Sequence, residues 1–423
     1  MQKTSKYKLG DRADLTCLTT TQFKTSVVSA GYAIPLAREN AATAVLPYLL
    51  RRGTAAYHDL NALGAYLDEL YGAQIEPFVR KIGDRMIVGF VAEAVDESVL
   101  PGGAHVIEKV FALLGALLHD PALIDGKFRN DVLESEKCNL ADRFRGLQND
   151  TRSYAQRRAR ELMHEGERFG YCEFGTAAGA EALTEPQVHA AYDALLQNGA
   201  LQLFYCGSLP GDEVCALVRT TFPEPVGKVA YLPETAGYCA DVEPCTITEN
   251  MHVTQGKMTI CLRSPYVGAS PAFPALLLFT QVLGGYTGSR LFCNVREKMS
   301  LCYYASAGLA VSTGEVTIAT GIENDKFEIA RDAVLAQLAD LCAGNLTADE
   351  LEQARRTKIN ALRSMQDTAR SMESYWQSRM MCGMSDDVDE LIAKLEALPL
   401  EEVIDAGRTL RVDLIYFLKG VGA

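Results

Sequence analysis

The sequence is poor in histidine and tryptophan, and its cysteines form no paired motif. Its 423 residues include six histidines, one tryptophan and 12 cysteines, and no two of the cysteines form a C-x-x-C pair. Cys206, Cys261 and Cys302 lie in apolar, strand-like runs, where a thiol packs as a small hydrophobic group. We therefore expect reduced cysteines and a cytoplasmic protein.

Long apolar runs and clusters of basic residues are also missing. The longest apolar run, Val110 to Leu118, is well short of the ~18 residues that a membrane span requires. The polar start from Met1 to Lys6 does not resemble a secretory signal. The net charge is -13, whereas a nucleic-acid site needs a basic face. The sequence predicts neither a membrane nor a nucleic-acid partner.

Motifs for nucleophilic hydrolysis are absent as well. There is no G-x-S-x-G elbow, and the run from Gly207 to Pro210 lacks the flanking pattern. Cys293 and Cys302 lie on either side of Arg296, but no histidine is near them in sequence. A cysteine protease would require a histidine brought close by the fold.

What the chain does have is an ordinary globular composition and an internal repeat. Apolar residues make up 48% and charged residues 22%, and this length usually folds as two domains of roughly 200 residues. Four features of the first half recur in the second half in the same order. The matching pairs are Arg85–Phe90 with Glu315–Thr320, Leu133-Glu134 with Leu351-Glu352, Ser153–Gln156 with Ser374–Gln377, and Leu201–Tyr205 with Leu414–Leu418.

The repeat predicts an α+β fold made by tandem duplication. The prolines and glycines between Pro223 and Gly237 suggest the boundary, so we expect domains at 1–222 and 238–423. Each half should contain an antiparallel-rich sheet covered by helices, an α/β roll closed by a buried strand. The alternative is a coincidental similarity between two helix-rich segments.

One segment of the second half combines a glycine turn with a helix. We expect Gly284-Gly285 to end one helix in a left-handed cap and Ser289 to cap the next. The apolar positions of that next helix should face the core. These positions are Leu291, Phe292, Val295 and Met299. The segment does not match a nucleotide-binding glycine loop.

This helical account does not explain Arg296 and Tyr303. The stretch G-G-x-x-x-S-R-L-F-x-x-x-R-E-K-x-x-L-x-Y closely resembles the C-terminal signature of the insulinase/pitrilysin metallopeptidase family. In that family the arginine and tyrosine bind the substrate backbone beside the zinc, and both can donate hydrogen bonds to a carbonyl or an oxyanion. The resemblance implies that Arg296 and Tyr303 bind peptide. The alternative is a surface arginine beside a half-buried tyrosine.

The resemblance also locates where the family's zinc motif, H-x-x-E-H, should be. Counting back from the Gly53-Thr54 pair, the His, Glu and His positions hold Ala44, Pro47 and Tyr48, none of which is a suitable zinc ligand. The register at the third-ligand position is ambiguous, and the candidates are Glu134, Glu136 and Arg143.

Two other groups resemble parts of a zinc motif. His105 and Glu108 read as an H-x-x-E pair followed by Lys109, and they are better explained as a helix-surface pair. Glu161 and His164 read as a second such pair. We expect no metal and no other cofactor.

The residue pattern R-E-K-x-x-L-x-Y-Y of the segment that carries Arg296 and Tyr303, together with E-K-x-x-L at Glu136–Leu140, is similar to the pattern of a zinc-motif-less, YfmF-like branch of the family. That resemblance implies two halves in a clamshell arrangement and a subunit inactive alone. Its Arg296 and Tyr303 would complete the active site of a zinc-bearing paralogue in a heterodimer, or it would form a homodimer. The alternatives are a structural or peptide-binding homologue with no peptidase role, and an autonomous peptidase with an unrecognised site.

Overall fold

The structure, a computed structural model, describes residues 3–223 and 243–421. Over these residues the chain forms two compact units. Unit 1 takes residues 3–146, 171–223 and 366–377, and unit 2 takes residues 147–170, 243–365 and 378–421. Apart from Pro223, the segment predicted to hold the boundary, Pro223 to Gly237, lies outside the described residues. The division at 1–222 and 238–423 therefore stays a prediction.

Unit 1 contains a six-stranded sheet. In chain order its strands are β1 (Lys3–Lys8), β2 (Ala13–Thr19), β3 (Thr25–Pro35), β4 (Gln74–Ile82), β5 (Arg85–Val95) and β6 (Ala200–Gly207). Their spatial order is β1-β2-β6-β3-β5-β4. Only the β2/β6 pair among these neighbours is parallel.

Unit 2 repeats this topology in a five-stranded sheet. Its strands are β7 (Cys245–Met251), β8 (Gly256–Arg263), β9 (Cys302–Leu309), β10 (Val316–Ile322) and β11 (Arg411–Gly420). The order β7-β11-β8-β10-β9, with a parallel β7/β11 pair, matches β2-β6-β3-β5-β4 strand for strand. The predicted duplication of an antiparallel-rich α+β half is confirmed, and β6 and β11 are the two closing strands.

Helices pack on both sheets and supply most of the remaining core. In chain order they are α1 (Ala41–Ala44), α2 (Leu46–Leu50), α3 (Leu60–Glu69), α4 (Val106–His119), α5 (Asn130–Gly146), α6 (Thr151–Met163), α7 (Ala177–Glu181), α8 (Glu185–Asn198), α9 (Gly211–Thr221), α10 (Phe273–Thr280), α11 (Phe327–Cys342), α12 (Ala348–Met365), α13 (Ala369–Met381), α14 (Val388–Ala397) and α15 (Leu400–Arg408). Short 3-10 turns lie at Glu97–Val99, Arg168–Gly170 and Asn324–Lys326, and π-helical segments lie at Gln281–Gly285 and Leu291–Lys298. None of the helices in the described ranges is long and apolar enough to cross a membrane.

The centre of the unit 1 sheet is buried on both faces. Every residue of β6 is buried, which suits a closing strand between β2 and β3. β3 and β5 approach so closely that a Cβ at Gly89 would lie 2.1 Å from the carbonyl oxygen of Ala30. Glycine is therefore required at this position of β5.

Helix α6 follows the strands of unit 1 in sequence but belongs to unit 2, where it packs on β8 and β11. Its apolar face forms a small core cluster with the sheet, made of Ala155, Ala159, Met163, Cys261, Leu414, Tyr416 and Leu418. The Arg158 guanidinium forms an ion pair of 2.8 Å with Glu249 of β7. Further along, the His164 ring lies 3.4 Å from buried Glu315, which Arg160 approaches at 3.6 Å.

The first part of α13 likewise belongs to unit 1. The Glu373 carboxylate is fully buried and pairs with Arg80 of β4 at 2.8 Å. Trp376 is also buried, and the Lys6 ammonium of β1 lies 5.0 Å from its ring centroid. The equivalent helices α6 and α13 thus each carry buried contacts to the sheet of the unit in which they lie.

Candidate functional site

The segment that carries Arg296 and Tyr303 is anchored by Arg290. This arginine is 15% exposed, and its guanidinium pairs with Asp340 at 2.7 Å and with Glu350. These partners belong to α11 and α12, so Arg290 ties the π-helical segment Leu291–Lys298 to both helices. Arg290 lies inside the sequence signature, but its structural role was not predicted.

Arg296 lies near the end of that π-helical segment, with its side chain partly exposed. Its Nε donates a hydrogen bond of 2.9 Å to the backbone carbonyl oxygen of Tyr303. One terminal nitrogen pairs with Glu297 at 2.5 Å, and the guanidinium carbon lies 4.5 Å from the centroid of the Phe292 ring. The guanidinium is therefore held in place while part of its donor fork still faces solvent.

Tyr303 is the second residue of an edge strand, and its side chain is exposed to solvent. It lies in β9, the outermost strand next to β10, and its side chain is 58% exposed. The pairing register shifts here, because Gly321 faces Tyr304 while Ile322 faces Cys302. Tyr303 is the extra residue of this bulge, a feature that commonly redirects a side chain at a functional site.

Arg296 and Tyr303 line the same open cavity, so the structure brings together the two residues that the sequence singled out. The cavity has a volume of about 410 Å³. Its lining consists of Arg296, Glu297, Ser300, Leu301, Cys302, Tyr303 and Glu323. A guanidinium and a phenol in one open hollow can donate hydrogen bonds to the carbonyl groups of an extended peptide.

The cavity does not favour a cysteine nucleophile. Burial raises the pKa of Cys302 to about 11, and the neighbouring Arg296 only partly opposes that rise. The thiol is therefore protonated near neutral pH, whereas a nucleophilic cysteine is a thiolate. The Sγ of Cys293 lies 3.7 Å from the carbonyl oxygen of Thr287.

Several local expectations for this segment were wrong. Neither Gly284 nor Gly285 has a positive φ, so the first helical segment does not end in a left-handed cap; the left-handed residue, Ser300 with φ 52°, follows the second segment. The hydroxyl of Ser289 is buried and has no hydrogen-bond partner among the residues that the structure describes, so it does not cap the helix. Met299 was expected in the core, but it is 53% exposed because the helix ends there in π-type geometry.

In unit 1 the three positions predicted to correspond to the zinc motif lie on two short helices. Ala44 ends α1, and Pro47 and Tyr48 lie in the first turns of α2. Ala44 and Pro47 are buried and have no side-chain donor for a metal. Burial raises the pKa of Tyr48, with the Arg143 guanidinium opposing that rise, so its phenol is neutral at physiological pH. These three side chains do not fit a zinc ion.

The structure separates the three candidates for the third-ligand position. Glu134 pairs with Lys137 at 2.9 Å on the surface of α5. The nearly buried Glu136 accepts hydrogen bonds from Arg52, one of them 2.7 Å long, and from Asn139 at 3.2 Å. Arg143 is the candidate that reaches Tyr48, because its guanidinium donates to the Tyr48 hydroxyl and lies 4.3 Å from the ring centroid.

Other histidines do not replace the missing motif. His105 and Glu108 form an exposed pair at 3.5 Å, as predicted. His164 does not pair with Glu161 as expected, because it is buried between Glu167 at 2.7 Å and Glu315. Within residues 3–223 and 243–421, no group of three or more His, Cys, Asp and Glu side chains is placed to hold a metal ion.

The Gly53-Thr54 pair that follows the motif has a structural explanation. A Cβ at Gly53 would lie 2.7 Å from the carbonyl oxygen of Tyr57. Thr54 is fully buried. Its backbone N–H donates to the carbonyl oxygen of Tyr57 at 2.8 Å, and its hydroxyl accepts from the backbone N–H of Tyr57 at 3.0 Å. The pair therefore shapes the loop after α2 even though no metal ligand precedes it.

Comparisons with known proteins found similarity to an inactive peptidase domain and to a probable inactive metalloprotease. The family described as "Peptidase M16 inactive domain" matches residues 182–358. The chain is 27% identical over 402 residues to "Probable inactive metalloprotease YmfF" of Bacillus subtilis (strain 168), which covers 95% of this chain and 94% of the relative.

Solved structures share the fold across the whole chain. A conserved protein from Enterococcus faecalis V583 superposes with a TM-score of 0.88 at 23% identity, covering 99% of both chains. A peptidase M16 inactive domain from Pseudomonas fluorescens gives a TM-score of 0.79 at 14% identity, covering 99% of this chain and 98% of the other. At these identities the likeness concerns the fold.

Proposed function

We propose that this chain, an inactive M16-family peptidase homologue, is the zinc-less subunit of a two-chain peptidase. In this proposal its Arg296 and Tyr303 bind the peptide backbone and complete the active site of a zinc-bearing paralogue. The observation that carries the proposal is their placement in one open cavity, held by Arg290 and by the hydrogen bond between them.

The two halves of the chain differ in what they retain, and this difference supports a shared site. The second half keeps two hydrogen-bond donors that suit a peptide carbonyl or an oxyanion. The first half has Ala44, Pro47 and Tyr48 where metal ligands and a general base would be needed. A peptide bound at Arg296 and Tyr303 would therefore need a metal-activated water from another chain.

A reconstitution experiment tests the proposal. The full chain and its zinc-bearing paralogue are assayed separately and mixed, with a fluorogenic peptide as substrate and size-exclusion chromatography to detect the complex. We expect cleavage in the mixture that neither chain shows alone, and suppression of that cleavage when the Arg296→Ala, Tyr303→Ala double variant replaces the native chain.

Each other outcome identifies one of the competing functions. Unchanged cleavage with the double variant would exclude a shared site. A complex without new cleavage would favour a structural or peptide-binding role with no peptidase activity. One tightly bound zinc per chain, measured by elemental analysis of the isolated protein, would instead favour an autonomous peptidase.

A further inference from the structure

The position where the zinc motif ends is filled by a cation of the chain itself. The family resemblance puts the second zinc-binding histidine at Tyr48. Here the phenol of Tyr48 accepts a hydrogen bond from Arg143, whose guanidinium carbon lies 4.3 Å from the Tyr48 ring centroid. The ring of Phe174 lies 6.0 Å from the same guanidinium. Two aromatic rings and one hydroxyl thus hold the guanidinium of Arg143.

The positive charge of Arg143 is not neutralised within the described part of the chain. Its contacts there are with Tyr48 and Phe174, and neither of these carries a negative charge. The nearby carboxylate of Glu136 is engaged by Arg52 and by Asn139. By contrast, Arg145 on the same helix pairs with Asp142 at 2.9 Å and with Glu181.

A guanidinium held in this way is suited to bind a carboxylate. Contact with aromatic faces fixes the plane of the guanidinium, so less freedom is lost when it forms further hydrogen bonds. Only one terminal nitrogen of Arg143 donates to Tyr48, and the side chain is exposed, which leaves the other N–H groups to solvent. Paired N–H groups of arginine match the two oxygens of a carboxylate.

We infer that Tyr48, Arg143 and Phe174 form a binding site for a peptide carboxylate at the place where the family would bind zinc. This inference rests on the proposed function, because it assumes that the chain binds peptides. It deepens that function by naming a chemical class of ligand. The carboxylate could belong to the C-terminus of the peptide or to an acidic side chain, and the experiment below separates these two sources.

The test measures binding of fluorescent peptides to the full chain by anisotropy. Two short peptides share one sequence without acidic side chains, one ending in a free carboxylate and the other in an amide. The third ends in an amide and has a single internal residue of that sequence replaced by glutamate. We expect a carboxylate-bearing peptide to bind about tenfold more tightly than the plain amide, as a charge-assisted pair provides. Preference for the first peptide identifies the C-terminus, and preference for the third identifies a side chain.

Matched variants assign that preference to Arg143. Arg143→Gln should abolish it, and Tyr48→Phe should weaken it because the ring remains while the hydroxyl is lost. Arg145→Gln removes the same charge from the same helix and should leave the preference intact, since Arg145 is already paired. Unfolding curves for the variants check that each one is folded.

Two results would overturn the inference while leaving the proposed function in place. One is equal binding of all three peptides to the native chain. The other is an equal loss of preference in Arg143→Gln and Arg145→Gln, which would indicate a general effect of net charge. Failure of the native chain to bind any of the peptides would overturn the proposed peptide binding together with this site.

Discussion

The Nε of Arg296 donates a hydrogen bond of 2.9 Å to the backbone carbonyl oxygen of Tyr303, so the arginine is bonded to the main chain of the residue that shares its cavity. This bond joins the end of a π-helical segment to the bulged start of β9. It leaves the Tyr303 hydroxyl independent of Arg296, and the two side chains can therefore be tested separately.

In the mixed peptidase assay, Arg296→Gln should reduce kcat/KM by about 10²-fold, the scale for loss of a donor to a developing oxyanion. Tyr303→Phe removes one neutral donor and should cost about tenfold. Lys298→Gln is the matched control, since Lys298 is an exposed cation that bonds to Asn294 at 3.0 Å. If Lys298→Gln were as damaging as Arg296→Gln, the specific role of Arg296 would be refuted.

Removing Arg80 should destabilise unit 1, because Arg80→Ala leaves the fully buried Glu373 carboxylate without its cation. Loss of one partner of a buried pair costs about 3–5 kcal/mol of unfolding free energy. Arg370→Ala breaks a second pair between the same helix and β4, but Arg370 is partly exposed and Glu76 is exposed, so its cost should be about 0–1 kcal/mol. Chemical denaturation gives both values, and equal losses would contradict the expected role of burial.

Glu315 should make unit 2 sensitive to acid. Burial would raise the pKa of Glu315, but hydrogen bonds and charges from His164 and Arg160 outweigh it and lower the pKa from 4.5 to about 2. The unfolded state therefore binds more protons between pH 2 and 4.5. The stabilisation, about 3 kcal/mol, is complete above pH 4.5 and is lost as the pH falls through that range.

Unfolding free energies measured between pH 2 and 6 test this expectation. Glu315→Gln should flatten the pH dependence in the acid range. The control Glu328→Gln, at an exposed carboxylate, should leave the dependence close to that of the native chain. Identical curves for native and Glu315→Gln chains would show that Glu315 is not the responsible group.

The loop after α2 should not tolerate a side chain at Gly53. Gly53→Ala places a Cβ against the carbonyl oxygen of Tyr57, and the strain should cost about 1–3 kcal/mol. Gly64→Ala in α3 is the matched control, because a Cβ added there would meet no atom within 4 Å in the described residues apart from its own helix turn and chain neighbours. That control should stabilise the chain by about 0.5–1 kcal/mol. Thermal unfolding of both variants distinguishes these opposite signs.

The sequence was sufficient to predict the duplicated sheets, while the position of the zinc motif stays a prediction. Buried strands such as β6 and β11 carry continuous apolar runs, and the Gly53-Thr54 pair sets the count back to Ala44, Pro47 and Tyr48. Both signals are local in the chain. The juxtaposition of Arg296 and Tyr303 is also local, because only one helical end and one bulge separate them.

Long-range partners could not be predicted in this way. Nothing in the periodicity of α6 indicates which sheet it covers, and the partner of His164, Glu315, is 151 residues away. The contact between Arg143 and Tyr48 was equally hidden, since three candidates fitted the spacing. At Met299, a π-type helix end exposes a side chain that regular helical periodicity places in the core.

The passage of α13 into unit 1 sets an order of events during protein synthesis. Arg80 meets Glu373 only after 293 further residues have been added to the chain. The ribosome must therefore translate strands β7 to β10 of the second sheet before the first sheet acquires the buried carboxylate of Glu373. A fragment that ends with the first repeat would lack Glu373 and Trp376, and so would lack part of the buried side of unit 1.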